Sequence, residues 1–136
     1  MGLSELDEYL GRDFSMNYWA DDAIDHAIEL VQKMTNSDWN SIGSYWRHRP
    51  KTWQYRLAEI LSEADPRHAV PLLIDMIQMP DDELAQEGAN SLNALYSEDM
   101  APRVDPKIVE RLKSLARKRP TFDANVINEL LKRIKT

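Results

Sequence analysis

Carboxylates are the most abundant groups in this chain with chemistry to offer. Asp21, Asp22, Asp25 and Glu29 crowd one stretch, and Asp22, His26 and Glu29 stand at i, i+4 and i+7, a single surface row if that stretch is a helix. Such a row supplies one wall of a metal site at most. A site needs three or more converging ligands, usually from two helices, and the Glu-x-x-His pairs of di-iron bundles are missing. The expectation is no metal. The histidines at 26, 48 and 68 are far apart, no Ser sits in a nucleophile elbow, and the four glycines form no phosphate loop. Cysteine is absent, which removes thiolate nucleophiles, disulfides and Cys-metal sites. The pattern points to a protein that is not an enzyme and needs no cofactor.

Arg47, His48, Arg49 and Lys51 form a basic knot around Pro50. It can hold a phosphate or a partner carboxylate. The reading preferred here is that it complements the C-terminal end of the preceding helix. Trp19, Trp39, Trp46 and Trp53 fall within 35 consecutive residues, and the last three have the spacing of core residues. Tyr45 and Tyr55 fall off the apolar stripes and suit a partner surface.

Net charge is −6 and unevenly spread. Residues 1–102 hold 7 Lys/Arg against 19 Asp/Glu, a net of −12; residues 103–136 hold 10 against 4, a net of +6. An acidic body repels phosphate backbones, so nucleic acid is not an expected partner. It attracts basic proteins and speeds their encounter. A chain of 136 residues with 43% hydrophobic content is read as one domain with its own core. No apolar run approaches the roughly 20 residues of a membrane span. The acidic MGLSELDEYL start lacks the charged and apolar regions of a signal peptide, so a cytoplasmic location is expected.

The periodicity predicts helices throughout. Ser4 to Leu10 starts from a capping pattern and stops at Gly11. A long helix runs from about Tyr18 to Thr35, with Ala20, Ile24, Ala27, Ile28, Val31 and Met34 inward and the acidic row outward. Ser37 or Asp38 caps a short helix carrying Trp39, Ile42 and Trp46. The stretch TWQYRLAEILSEADPRHAVPLLIDMIQMPDDELAQEGANSLNALY, Thr52–Tyr96, organises the rest as three helices. In the first, Trp53, Leu57, Ile60, Leu61 and Ala64 face in, and Gln54, Tyr55, Glu59 and Ser62 face out. Asp65-Pro66 starts the second, which holds Val70, Leu73, Ile74 and Ile77, and Pro71 predicts a kink or a late start. Asp81, Asp82 and Glu83 open the third, in which Gly88 requires a close neighbour to offset its poor helix propensity. A loop over Ser97–Pro106 leads to a helix with Ile108, Val109, Leu112 and Leu115 and a basic end. Asp123 caps the last helix, with Phe122 and Ile127 at staple spacing and Lys132, Arg133 and Lys135 at its close.

A weak repeat relates Ala58, Leu61 and Ala64 to Ala89, Leu92 and Leu95, and Asp-Pro-basic recurs at Asp65-Pro66-Arg67 and Asp105-Pro106-Lys107. RLAEILSEADPRHAVPLLIDMI, followed by DDELAQEGANSLNAL, resembles HEAT-like repeats over about a third of the chain, departing from them at Ser91 and Tyr96. The resemblance implies an all-α fold, a short HEAT-like superhelix of about six to seven helices, and a protein-binding role. On that account the exposed faces of the second helices offer Tyr55, Glu59, Gln86, Glu87, Asn90 and Asn93, joined by Tyr45 and the acidic Asp21, Asp22, Asp25 and Glu29. The small, acidic, cysteine-free profile also resembles bacterial immunity proteins, which implies inhibition of a basic toxin. The alternatives are a nucleic-acid-binding HEAT-like protein, or a self-associating subunit whose acidic first helix meets the basic last helix of another copy.

Overall fold

The computed structural model describes residues 2–96 and 103–134, and it is all-helical. The helices are α1 (Gly2–Leu10), α2 (Met16–Tyr18), α3 (Ile24–Gln32), α4 (Asn36–Tyr45), α5 (Lys51–Ile60), α6 (Pro66–Ile77), α7 (Asp82–Leu95), α8 (Pro106–Lys118) and α9 (Thr121–Arg133). A π-helical turn, Trp19–Ala23, joins α2 to α3 as one rod. Eight separate helices therefore stand among the described residues, one at each stretch where the periodicity predicts one; the count of six to seven came from the HEAT-like resemblance. The expected Ser97–Pro106 loop lies outside the described residues up to position 102, as does Lys135.

Most starts follow the sequence. Asp65, Asp81 and Asp105 accept backbone N–H bonds at the heads of α6, α7 and α8, and Pro66 and Pro106 are first helical residues. Two caps differ. In α4 the cap is Thr35: its hydroxyl accepts the Asp38 N–H at 3.2 Å while the Asp38 carboxylate accepts the Thr35 N–H at 3.0 Å. In α9, Asp123 is the third residue and accepts from Arg119 at 3.2 Å instead of capping. Phe122 is 79% exposed, so no staple forms with buried Ile127. Pro71 lies inside α6 on its exposed side and does not delay the helix; water can satisfy the carbonyl it leaves free.

The π turn corrects the register of the long N-terminal helix. The Ile24 N–H bonds the Trp19 carbonyl, five residues back. Trp19, Ala23, Ala27, Leu30 and Val31 are buried, Ile24, Ile28 and Met34 are half-buried, and Ala20 is exposed. Burying the indole in place of the Ala20 methyl removes far more apolar surface from water, which favours this register.

Helix α7 is the hub. It touches α5 on one flank, α9 on the other and α6 beneath, while α8 packs on α9 and α3 on α1 and α5. Residues three and four apart serve each neighbour. Ser91 donates its hydroxyl to the Ala58 carbonyl of α5 at 2.6 Å. Gln86 donates to the Asp123 carbonyl of α9 at 3.3 Å. A Cβ on Gly88 would stand 3.3 Å from both the Leu73 carbonyl oxygen and Ile77 Cγ1 of α6. The glycine that weakens the isolated helix is what allows α6 and α7 to approach.

Arginines close helix ends across the molecule. Arg56 of α5, itself buried, donates to the carbonyls of Leu10 at 3.0 Å, Arg12 at 2.7 Å and Phe14 at 3.3 Å. Arg111 of α8 donates to Ile77 at 3.0 Å and Met79 at 2.8 Å, and Arg133 of α9 to the Asn93 carbonyl at 3.1 Å.

Gly88→Ala is expected to lower the urea midpoint. The gain in helix propensity is about 1 kcal/mol, and overpacking against a backbone carbonyl costs about 1–3 kcal/mol. A more stable variant would mean that α6 and α7 separate easily.

Candidate functional site

Helices α3, α5 and α7 leave an open groove of about 290 Å³ between them. Ile24 and Ile28 form its apolar wall. Glu59 and Glu63, one turn apart on α5 and its 3₁₀ extension Leu61–Glu63, form the second wall, and Glu87, Asn90 and Ser91 of α7 form the third. The groove exists because α5 and α7 are held together below it by the Ser91 bond, while their upper edges carry acidic rather than apolar residues.

Glu59 and Glu87 are held by neutral donors. The Trp19 indole donates to Glu59 Oε1 at 3.0 Å. Glu87 accepts from the Tyr55 hydroxyl and, at a long 3.5 Å, from Asn90 Nδ2. Burial first, and the neighbouring Glu59 carboxylate second, hold Glu87 above the usual carboxylate range, against the pull of its Tyr55 and Asn90 donors. Burial and the adjacent Glu87 likewise push the Tyr55 hydroxyl up, which keeps it protonated and donating. Among the described residues none of Glu59, Glu63 and Glu87 forms an ion pair. The arrangement offers fixed negative charge beside an apolar wall. It carries no nucleophile paired with a base, and among the described residues no metal-ligating group of three or more is present.

The chain matches no known family model, curated protein or solved structure.

The structure brings four of the sequence-derived residues together: Tyr55, Glu59, Glu87 and Asn90. Gln86 is not available on that surface. It is 3% exposed and turned to α9, donating to Asn90 Oδ1 at 2.9 Å as well as to Asp123. Asn93 is half-buried and accepts from Arg133 at 2.7 Å. Tyr45 lies elsewhere, half-buried, packed against Trp53 at 6.2 Å with the Arg49 guanidinium 4.3 Å above its ring. Asp21, Asp22, Asp25 and Glu29 are exposed, as read. Asp25 does not line the groove, and His26 packs edge-on against Tyr9 at 4.8 Å with its Nδ1 3.8 Å from the Glu29 carboxylate, which turns Glu29 towards α1.

Other readings need correcting. The basic knot does not serve the end of its own helix: Arg49 pairs with Asp7 at 2.7 Å, Arg47 with Asp75 at 3.2 Å and Lys51 with Asp81 at 2.9 Å. Gln54 faces in and donates to the Arg47 and Arg49 carbonyls at 3.2 and 2.9 Å. His68 stacks on Trp39 at 5.2 Å with its Nε2 3.0 Å from Asn36 Oδ1, away from the other two histidines. Sequence reasoning missed Glu63, Ile24 and Ile28 as groove residues and Trp19 as the clamp on Glu59. Acidic pairs four apart, Glu59/Glu63 and Glu83/Glu87, were the available signal.

Glu87 binds a proton more tightly folded than unfolded. Its contribution to stability is therefore full at low pH and lost as pH rises from the ordinary carboxylate range through its raised value. Glu87→Gln keeps the shape and an acceptor for Tyr55 without the charge. Its denaturation midpoint is expected to exceed that of the wild type at neutral pH, with the gap closing towards about pH 4. A gap that widens on acidification would contradict this assignment.

Proposed function

We propose that this protein is a non-catalytic binding module that receives a basic protein over the α3–α5–α7 groove, and in its more specific form a cytoplasmic immunity protein that neutralises a basic toxin. The observation that carries the reading is an asymmetry of pairing. Most of the arginines are engaged internally, among them Arg47, Arg49, Arg67, Arg111, Arg119 and Arg133. Among the described residues the groove carboxylates Glu59, Glu63 and Glu87 form no ion pair: Glu59 accepts from the Trp19 indole and Glu87 from Tyr55 and Asn90. Charge left uncompensated on one face, in an acidic chain, steers and holds a cationic partner.

The contacts of α6 with α7, α8 with α9, and α7 with both α5 and α9 support a short HEAT-like superhelix in which α5, α7 and α9 are the second helices of successive pairs. In that architecture the groove lies on the shared face of the second helices. The nucleic-acid alternative, which needs Arg47, Arg49, Lys51 and the basic C-terminal region on phosphates, is weakened because the first three are in ion pairs with Asp75, Asp7 and Asp81. Self-association keeps one supporting observation: an open basic groove of about 390 Å³ between α8 and α9, lined by Lys113 and Arg117, is complementary in charge to the acidic one.

The test is affinity capture from host lysate at low and high salt, with wild type beside a Glu59→Gln, Glu63→Gln, Glu87→Gln triple variant. One basic protein is expected on the wild type at low salt, released by high salt and missing from the variant. Equal, weak retention of many cationic proteins by both would sink the proposal.

A further inference from the structure

Large apolar side chains exposed to water are unevenly placed. Those exposed among the described residues are Met16 (88%), Tyr18 (50%), Tyr55 (39%) and Phe122 (79%). They belong to α2, α5 and α9, which lie with α3 and α7 in one connected row of helices, and none belongs to α1, α4, α6 or α8. Single apolar side chains in water are ordinary, but two that line one concave surface, as Met16 and Tyr55 do, mark a contact surface.

Met16 and Tyr55 stand over Leu84 and Thr52 in a second groove, of about 420 Å³. The charges at its edge are neutralised internally: Lys51 by Asp81 at 2.9 Å, and Glu83 by Arg119 at 3.0 Å. This groove is thus locally uncharged, with Leu84 as a buried floor. Tyr55 links it to the acidic groove, because its hydroxyl bonds Glu87, which lines that groove. An apolar seat and unpaired carboxylates therefore lie on either side of one tyrosine.

Building on the basic-partner reading, we propose that the Met16–Tyr55–Leu84 groove seats a large apolar side chain of the partner, on a segment whose flanking Lys or Arg residues reach Glu59 and Glu87. The occupant is a cationic protein segment with an apolar anchor. Charge complementarity selects it over an anionic lipid surface or a nucleic acid, which the same carboxylates repel. The anchor supplies burial, and the cations supply orientation and encounter rate.

Calorimetric titration with designed peptides separates the two halves. The probes are a nonapeptide of arginine and lysine with a central leucine, the same peptide with a central serine, and a leucine peptide with glutamine in place of every cation. The leucine cationic peptide is expected to bind about tenfold tighter than the serine one, the scale of one seated apolar side chain. Met16→Ser, at a position too exposed to disturb folding, abolishes that difference and leaves the serine peptide unchanged, and Glu87→Gln weakens both cationic peptides. Equal affinity of the leucine and serine peptides overturns the anchor groove while leaving the basic-partner reading intact. Binding of the glutamine peptide alone, or of no peptide, overturns both. Sedimentation showing a dimer that Met16→Ser dissociates overturns the proposal by giving the groove to a second copy of the chain.

Discussion

A helix ends in carbonyls that its own backbone cannot pair, and this fold closes several such ends with an arginine from a distant helix. Arg56 is the most consequential. Its guanidinium lies among the carbonyls of Leu10, Arg12 and Phe14 and over the rings of Phe14 and Trp19, at 5.3 and 5.0 Å. Burial lowers its pKa, yet it remains charged at any ordinary pH. By fixing the turn after α1 it fixes where the π turn presents Trp19, and the Trp19 indole in turn holds Glu59. The position of a groove carboxylate thus depends on hydrogen bonds to residues 42–46 positions away.

The same habit shapes the electrostatics. The sequence places a net of +6 in residues 103–136, which on its own suggests a basic patch. Much of it crosses to the head of α7 instead. Arg111 and Lys118 both reach Asp82, and Arg119 reaches Glu83. These contacts hold the Asp82 carboxyl below its ordinary range, first through the Arg111 bond. They also hold α8 and α9 against α7. Exposed pairs of this kind contribute little stability singly, but they remove cations from the surface. Among the described residues the carboxylates between α3, α5 and α7 are left without such a partner.

How much of this was legible in the sequence depended on distance along the chain. Local signals held. The Asp-Pro starts of α6 and α8, the acidic head of α7, the close approach at Gly88 and the inward Trp39, Trp46 and Trp53 all follow from residues within a turn or two of one another. Long-range partners were invisible. Gln54 and Gln86 read as surface because they are polar, yet each finds backbone carbonyls that make burial tolerable. Asp123 looked like a cap because nothing in its neighbourhood announced that Arg119 would take its carboxylate. Spacing placed Tyr55, Glu59, Glu87 and Asn90 on one face together with Gln86 and Asn93; the first four lie close together, whereas the last two turn to α9. The π turn left no signature beyond a large tryptophan one position before a small alanine.

The central place of α7 has a dynamic meaning. A helix touched on three sides opens only when most of the molecule does, so its amides are of the class that exchanges by global unfolding. α1 is tied to the body by buried Leu6 and Leu10, by the Arg49–Asp7 pair and by the Trp53 indole on the Asp7 carbonyl, and the segment after it by Arg56. The groove draws on both regions: Glu87, Asn90 and Ser91 stand on α7, and Ile24 and Ile28 on the helix that follows the Arg56-held segment. A basic partner received there, as proposed, would meet a floor that α7 already holds in place, with little ordering entropy to lose.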